Sequence, residues 1–156
     1  MRCALRLRLV LGLLAVVAAA IPSVGGGRFE LRFTRWGTEH GLPHNSVYAI
    51  TQDRAGFLWI GTVDGLSRFD GYEFLNFGHD PSDANSLRDQ VIRTVRETRD
   101  GTLWVGTDGG LDRFLPTTRR FEHVQLPVAR ANGSPVAVLV LHEDDAGSLW
   151  IGTDHG

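Results

Sequence analysis

The chain has 156 residues, with 16 arginines, no lysine, 18 acidic residues and a formal charge of −2, so it offers no basic stripe of the kind that binds nucleic acid. A single cysteine, Cys3, excludes a small module stapled by disulfides, and the length allows one ordinary domain.

In chain order, Arg2, Arg6 and Arg8 precede the apolar run Leu9 to Ala20, which breaks at Pro22. A basic n-region, a short apolar core and small residues at Ala18 and Ala20 read as a secretory signal over residues 1–25 rather than a membrane anchor. Without the three signal arginines, 13 basic residues face 18 acidic ones. Phe29 to Trp36 then reads as one strand outside any complete unit.

From residue 45 onward the period of hydrophobicity is two, which predicts strands. Val47 to Thr51, Leu58 to Ile60, Leu66 to Phe69 and Tyr72 to Phe77 make four, with Asp70-Gly71 as the turn before the last. The sentence Gly56-Phe57-Leu58-Trp59-Ile60-Gly61-Thr62 returns as Gly101 to Thr107 and again as Gly147 to Thr153, its tryptophans 45 and 46 residues apart. Such a period belongs to a repeat architecture, and four short antiparallel strands per unit are those of a β-propeller blade. The expected fold is therefore all-β, about two and a half blades of a larger propeller, with repeats at about 45–80, 90–125 and a truncated 136–156 inside a domain spanning 28–156. The expected structural repeat residues are Trp59, Trp104 and Trp150, packed between neighbouring sheets, with Gly61, Gly106 and Gly152 admitting close backbone approach.

Candidate chemistry is sparse. Gly106-Thr107-Asp108-Gly109-Gly110 lacks the Lys-Ser/Thr ending of a phosphate loop and reads as a turn. His40 and His44 are separated by Gly41 and Pro43, which suits no helical metal pair. Asp53 and the pair Asp144-Asp145 read as solvated turns rather than calcium loops, and Arg113, Arg119 and Arg120 as a solvated edge. No catalytic residue, metal ligand or cofactor site is expected.

Gly41-Leu42-Pro43-His44-Asn45-Ser46-Val47 through Trp59-Ile60-Gly61-Thr62 and Asp64-Gly65-Leu66 resembles the two-component regulator propeller repeat. The resemblance implies seven-bladed propellers in the periplasm, joined to a membrane helix and a histidine kinase or diguanylate cyclase. It also implies a small-molecule or oligosaccharide ligand, downstream blades and membrane-anchored signalling domains as partners, and a homodimer at full length. On that reading the chain is a non-catalytic sensor segment and a fragment of a longer protein. An exported propeller enzyme, a lyase or glycosidase, and an envelope scaffold are the competing classes. The sequence is similar to an Asp-box of sialidase-type propellers only in part, because Asp53 lies three residues before Gly56 instead of two.

Overall fold

A computed structural model describes residues 32–156, and the expected signal segment at 1–25 lies outside the described residues. Among the described residues ten strands form three sheets: β1 (Val47–Gln52), β2 (Leu58–Thr62), β3 (Gly65–Phe69) and β4 (Phe74–Phe77); β5 (Ile92–Glu97), β6 (Leu103–Thr107), β7 (Gly110–Leu115) and β8 (Arg120–Val124); and β9 (Val138–Glu143) with β10 (Leu149–Thr153). Each four-stranded sheet is an antiparallel meander in sequence order, and β9–β10 repeats its first hairpin. Register is repeated as faithfully as sequence: Val47 faces Thr62, Ile92 faces Thr107 and Val138 faces Thr153, each followed by a bulge. The sheets meet through their first strands, β1 against β5 and β5 against β9. This is the arrangement of three consecutive blades, the third present as two strands, within one compact unit at Thr34–Gly156.

The tight β2–β3 and β6–β7 connections are locked by threonine. Thr62 Oγ1 donates to the Gly65 carbonyl (2.9 Å) and accepts from the Asp64 amide (3.1 Å). Thr107 does the same with Gly110 and Gly109, and Thr153 with Gly156 and His155. Gly65 and Gly110 take φ of +112° and +132°, a region that a side chain would strain.

Two expectations change. Tyr72 and Glu73 belong to the turn and not to β4, because Asp70 Oδ1 accepts both of their amides at 2.8 Å and holds the chain out of the ladder. The strand expected over Phe29 to Trp36 is not formed in its described part, residues 32–36. A strand needs a neighbouring ladder, and no described sheet offers one there. Trp36 instead packs against Phe69 (4.9 Å between centroids) and Phe74 (6.1 Å), with a 3-10 turn at Thr38–His40 behind it.

The core lies between sheets. Trp59, Leu66, Leu87, Ile92, Val95 and Phe114 belong to the cluster joining the first two, extended by Phe77 and Phe121. A second cluster of Leu111, Val138 and Leu141, with Trp104 and Leu149 against it, joins the second sheet to the third. Leu42 and Leu87 hold equivalent buried places, so the divergent opening Ser86-Leu87-Arg88 keeps the one side chain that packing requires.

Candidate functional site

The repeated residues make two kinds of contact. The first holds the tryptophan. Asp53 accepts the indole N–H of Trp59 at Oδ2 (2.8 Å) and the Phe57 amide at Oδ1 (2.9 Å). Asp144 accepts from Trp150 (2.8 Å) and from the Ser148 and Ala146 amides. In the second copy Thr98 stands in that place, its Oγ1 accepting the Trp104 indole at 3.2 Å while donating to Asp100 at 2.6 Å. An oxygen-bearing side chain six residues before each tryptophan was the available signal, and reading Asp53 and Asp144 as solvated turns missed it.

These donors hold the Asp144 carboxyl below the ordinary aspartate value, the Trp150 indole contributing most. A depressed carboxylate contributes stability above its unfolded value, which is lost as pH falls through the lower folded one. Acidification from about pH 3.8 downward should therefore weaken the hold on Trp150. Trp150 emission, in a chain with the other tryptophans replaced by phenylalanine, should shift in that window, and Asp144→Asn should remove the shift.

The second contact joins blades. A Cβ built on Gly61 would lie 2.6 Å from Ile92 Cγ2, and one on Gly106 would lie 2.7 Å from Val138 Cγ1 and 2.8 Å from the Val138 carbonyl. Each glycine is thus a seat for the first residue of the next blade's inner strand, and Ile92 and Val138 are fully buried in those seats. At the other end of the same strands, the Arg54 amide donates to Glu97 (2.9 Å) and the Arg99 amide to Glu143 (2.9 Å). Their guanidinium groups reach the carbonyls of Thr98 (3.0 Å) and Asp145 (2.9 Å).

Among the described residues Gly152 has no such occupant: the nearest neighbour of a Cβ there is its own sheet's Val140, at 3.5 Å. Trp150 accordingly stands 63% exposed, against 2% for Trp59, and Trp104 is half-buried. Trp59 lies in the cluster between the first two sheets and Trp104 packs against the cluster between the second and third, while no described sheet lies over Trp150.

A cavity of about 400 Å3 opens where the inner strands begin, lined by Arg93, Asp108, Arg130, Ala137, Leu139 and Asp154. Arg93 meets Asp108 bidentately, Nε to Oδ1 at 2.7 Å and Nη2 to Oδ2 at 2.8 Å, and sits over the Tyr48 ring at 5.0 Å. That carboxylate raises the guanidinium further above its ordinary value. Arg130 pairs with Asp154, whose other oxygen accepts the Ala137 amide at 3.0 Å, and the Arg130 contact is the main reason its carboxyl is held low. Two planar donor–acceptor pairs beside an aromatic ring can exchange hydrogen bonds with a polar ligand that carries both donors and acceptors.

The other weighed residues are occupied. His40 Nδ1 accepts the Gly37 amide and His44 Nδ1 the Ser46 amide, so these two histidines serve turns. Among the described residues no group of three or more His, Cys, Asp or Glu could hold a metal. Arg113 pairs with Glu122, Arg120 with Asp83, and Arg119 sits at φ +56° in the hairpin turn. Asp112 is fully buried with its Oδ2 accepting the Arg88 amide at 2.8 Å and His123 3.9 Å away, where the first blade has Ser67 against Asn76. Burial pushes the Asp112 carboxyl up, opposed by the Arg88 amide and by the neighbouring His123 and Arg88 side chains.

Residues 41–64, 86–109 and 132–155 match the two component regulator propeller family, one match per blade. The chain carries three copies of the two component regulator propeller repeat. Over 47 residues it is 47% identical to Histidine kinase P4 of Formosa agariphila, an overlap of 30% of this chain and 3% of that one. The extracellular domain of a system described as hybrid two component, from B. thetaiotaomicron, superposes with a TM-score of 0.64 at 29% identity, over 76% of this chain and 17% of that one. Another extracellular domain of that organism, from a system described as one component, gives 0.57 at 30% identity over 70% and 15%. The propeller segment thus spans a small part of the relatives it matches, and the two structural neighbours are extracellular domains. No helix among the described residues is long and apolar enough to cross a membrane.

Proposed function

We propose that this chain is an exported, ligand-sensing input segment of a two-component signalling receptor and carries no catalysis itself. The observation that carries the reading is the three-fold family match on blades whose fold agrees with the extracellular domain of a hybrid two component system. The cavity of Arg93, Asp108, Arg130 and Asp154 takes a small molecule or oligosaccharide, and the bound form shifts the packing of neighbouring blades. A membrane-anchored histidine kinase or diguanylate cyclase reads that shift inside the cell. A lyase or glycosidase has no support in the site, where each carboxylate is bound to a guanidinium and no free carboxyl pair faces the cavity.

Two measurements test this. A phosphatase reporter that is active only after export, fused behind Gly156, should be active in cells; an inactive fusion argues against export. Titration calorimetry of a panel of neutral and uronate-containing oligosaccharides should find a binder, and Arg93→Ala should weaken it by about 10- to 100-fold, the worth of one charged hydrogen bond. Binding unchanged by that substitution would remove the cavity from the proposal.

A further inference from the structure

A second cavity, of about 210 Å3, lies between the first two sheets, each of which has all four of its strands. Its apolar lining is the buried Trp59, Leu103 and Phe114, and Phe57, Arg68 and Glu97 also face it.

The repeat departs from itself at this point. In the second sheet Trp104, Arg113 and Glu122 stand opposite one another on successive strands, and Arg113 is paired with Glu122. In the first sheet the same row is Trp59, Arg68 and Leu75, so the carboxylate is missing. Arg68 is half-buried and makes no hydrogen bond or ion pair among the described residues; its guanidinium lies over the Phe57 ring, 4.3 Å from the centroid. Phe57 is a departure too, because the other two copies carry Thr102 and Ser148 there. The carboxylates that share the cavity are held by other donors. Asp53 accepts the Phe57 amide and the Trp59 indole, and Glu97 accepts the Arg54 amide.

We infer that this cavity binds a small aromatic acid, its carboxylate paired with Arg68 and its ring against Trp59, Leu103 and Phe114. A cation drawn partly out of water needs an anionic partner, and the first sheet does not supply the one that Glu122 supplies in the second. The ring of Phe57 holds the guanidinium in one plane, and a guanidinium fork so held matches the two oxygens of a carboxylate. The aromatic lining favours a ring over an aliphatic chain, since edge-to-face contacts add to the area buried. Size agrees as well. An apolar cavity of about 150 Å3 holds benzene, so this one has room for a ring and its carboxylate, whereas pockets for larger ligands begin at about 300 Å3. The inference concerns a different cavity from that of Arg93 and Arg130 and stands whether or not that one takes a ligand.

Titration calorimetry of the full chain with benzoate tests it. Benzoate should bind saturably, and benzamide, the same ring without the charge, should bind about 10- to 100-fold more weakly, the worth of one charged hydrogen bond. Arg68→Met should weaken benzoate by the same factor. Leu75→Glu should do so too, by giving Arg68 the partner that Glu122 gives Arg113, and it keeps the test open should Arg68→Met fail to fold. Arg93→Ala should leave benzoate bound as in the parent. Absence of saturable binding, equal affinity for benzoate and benzamide, or undiminished affinity in Leu75→Glu overturns the proposal. Loss of binding in Arg93→Ala places the acid in the other cavity and overturns it as well.

Discussion

Trp59→Ala should lower the unfolding free energy of the chain by about 3–5 kcal/mol, the range for deleting a large buried aromatic. Trp150→Ala, the same change in the same sentence of sequence, should cost about 1 kcal/mol or less. Trp59 is closed in by Phe77 at 5.8 Å and Phe114 at 4.9 Å, so its removal leaves a void that the two rings can fill only by leaving their own contacts. It also strands the Asp53 oxygen that accepted the indole. Trp150 makes the matching hydrogen bond to Asp144 but has no second sheet over its ring. Urea denaturation at low protein concentration decides the matter, and equal costs for the two substitutions would mean that the third sheet is covered in solution.

The glycines give the second contrast. Gly106→Ala should cost about 1–3 kcal/mol, while Gly152→Ala should be neutral or slightly stabilising. A Cβ on Gly106 would stand 2.5 Å from Thr94 Cγ2 and 2.8 Å from the Val138 carbonyl; the second is backbone, and relief requires the third blade to move away. Gly61→Ala should fall between the two, since its closest obstacles are the side-chain carbons of Ile92. At Gly152 the added methyl meets only Val140 at an ordinary distance and removes backbone freedom from the unfolded chain. The order Gly106, Gly61, Gly152 in denaturation midpoints is the result to look for; a large loss at Gly152 would contradict the empty seat.

The blades were legible in the sequence because the tryptophan strand is nearly invariant and its turns use residues with one conformational purpose. Asp70-Gly71 marked its turn, yet its length was not readable, since the reach of one carboxylate to two amides depends on geometry that spacing does not encode. The partner of each glycine was hidden for a different reason. Ile92 lies 31 positions beyond Gly61 and Val138 32 beyond Gly106, and neither looks unusual among β-branched strand residues. Contacts between blades are set by the curvature of the array rather than by any local period. The cavity was harder still: Arg93 and Asp108 come from one hairpin, but Arg130 arrives from the irregular connection before β9, where no repeat guides the eye.

The glycine seats also fix what counts as one interchangeable piece of this protein. Because Ile92 and Val138 hold the same register and fill the same kind of hollow, the piece runs from Ile92 through Ala137 and cuts across the visible sheets' connections. Excising it would bring Val138 to Gly61 and Glu143 to the Arg54 amide, one β-branched residue and one carboxylate replacing another. A gene that gains or loses such a piece keeps each internal joint intact, so the array can lengthen or shorten by whole blades without redesigning a contact.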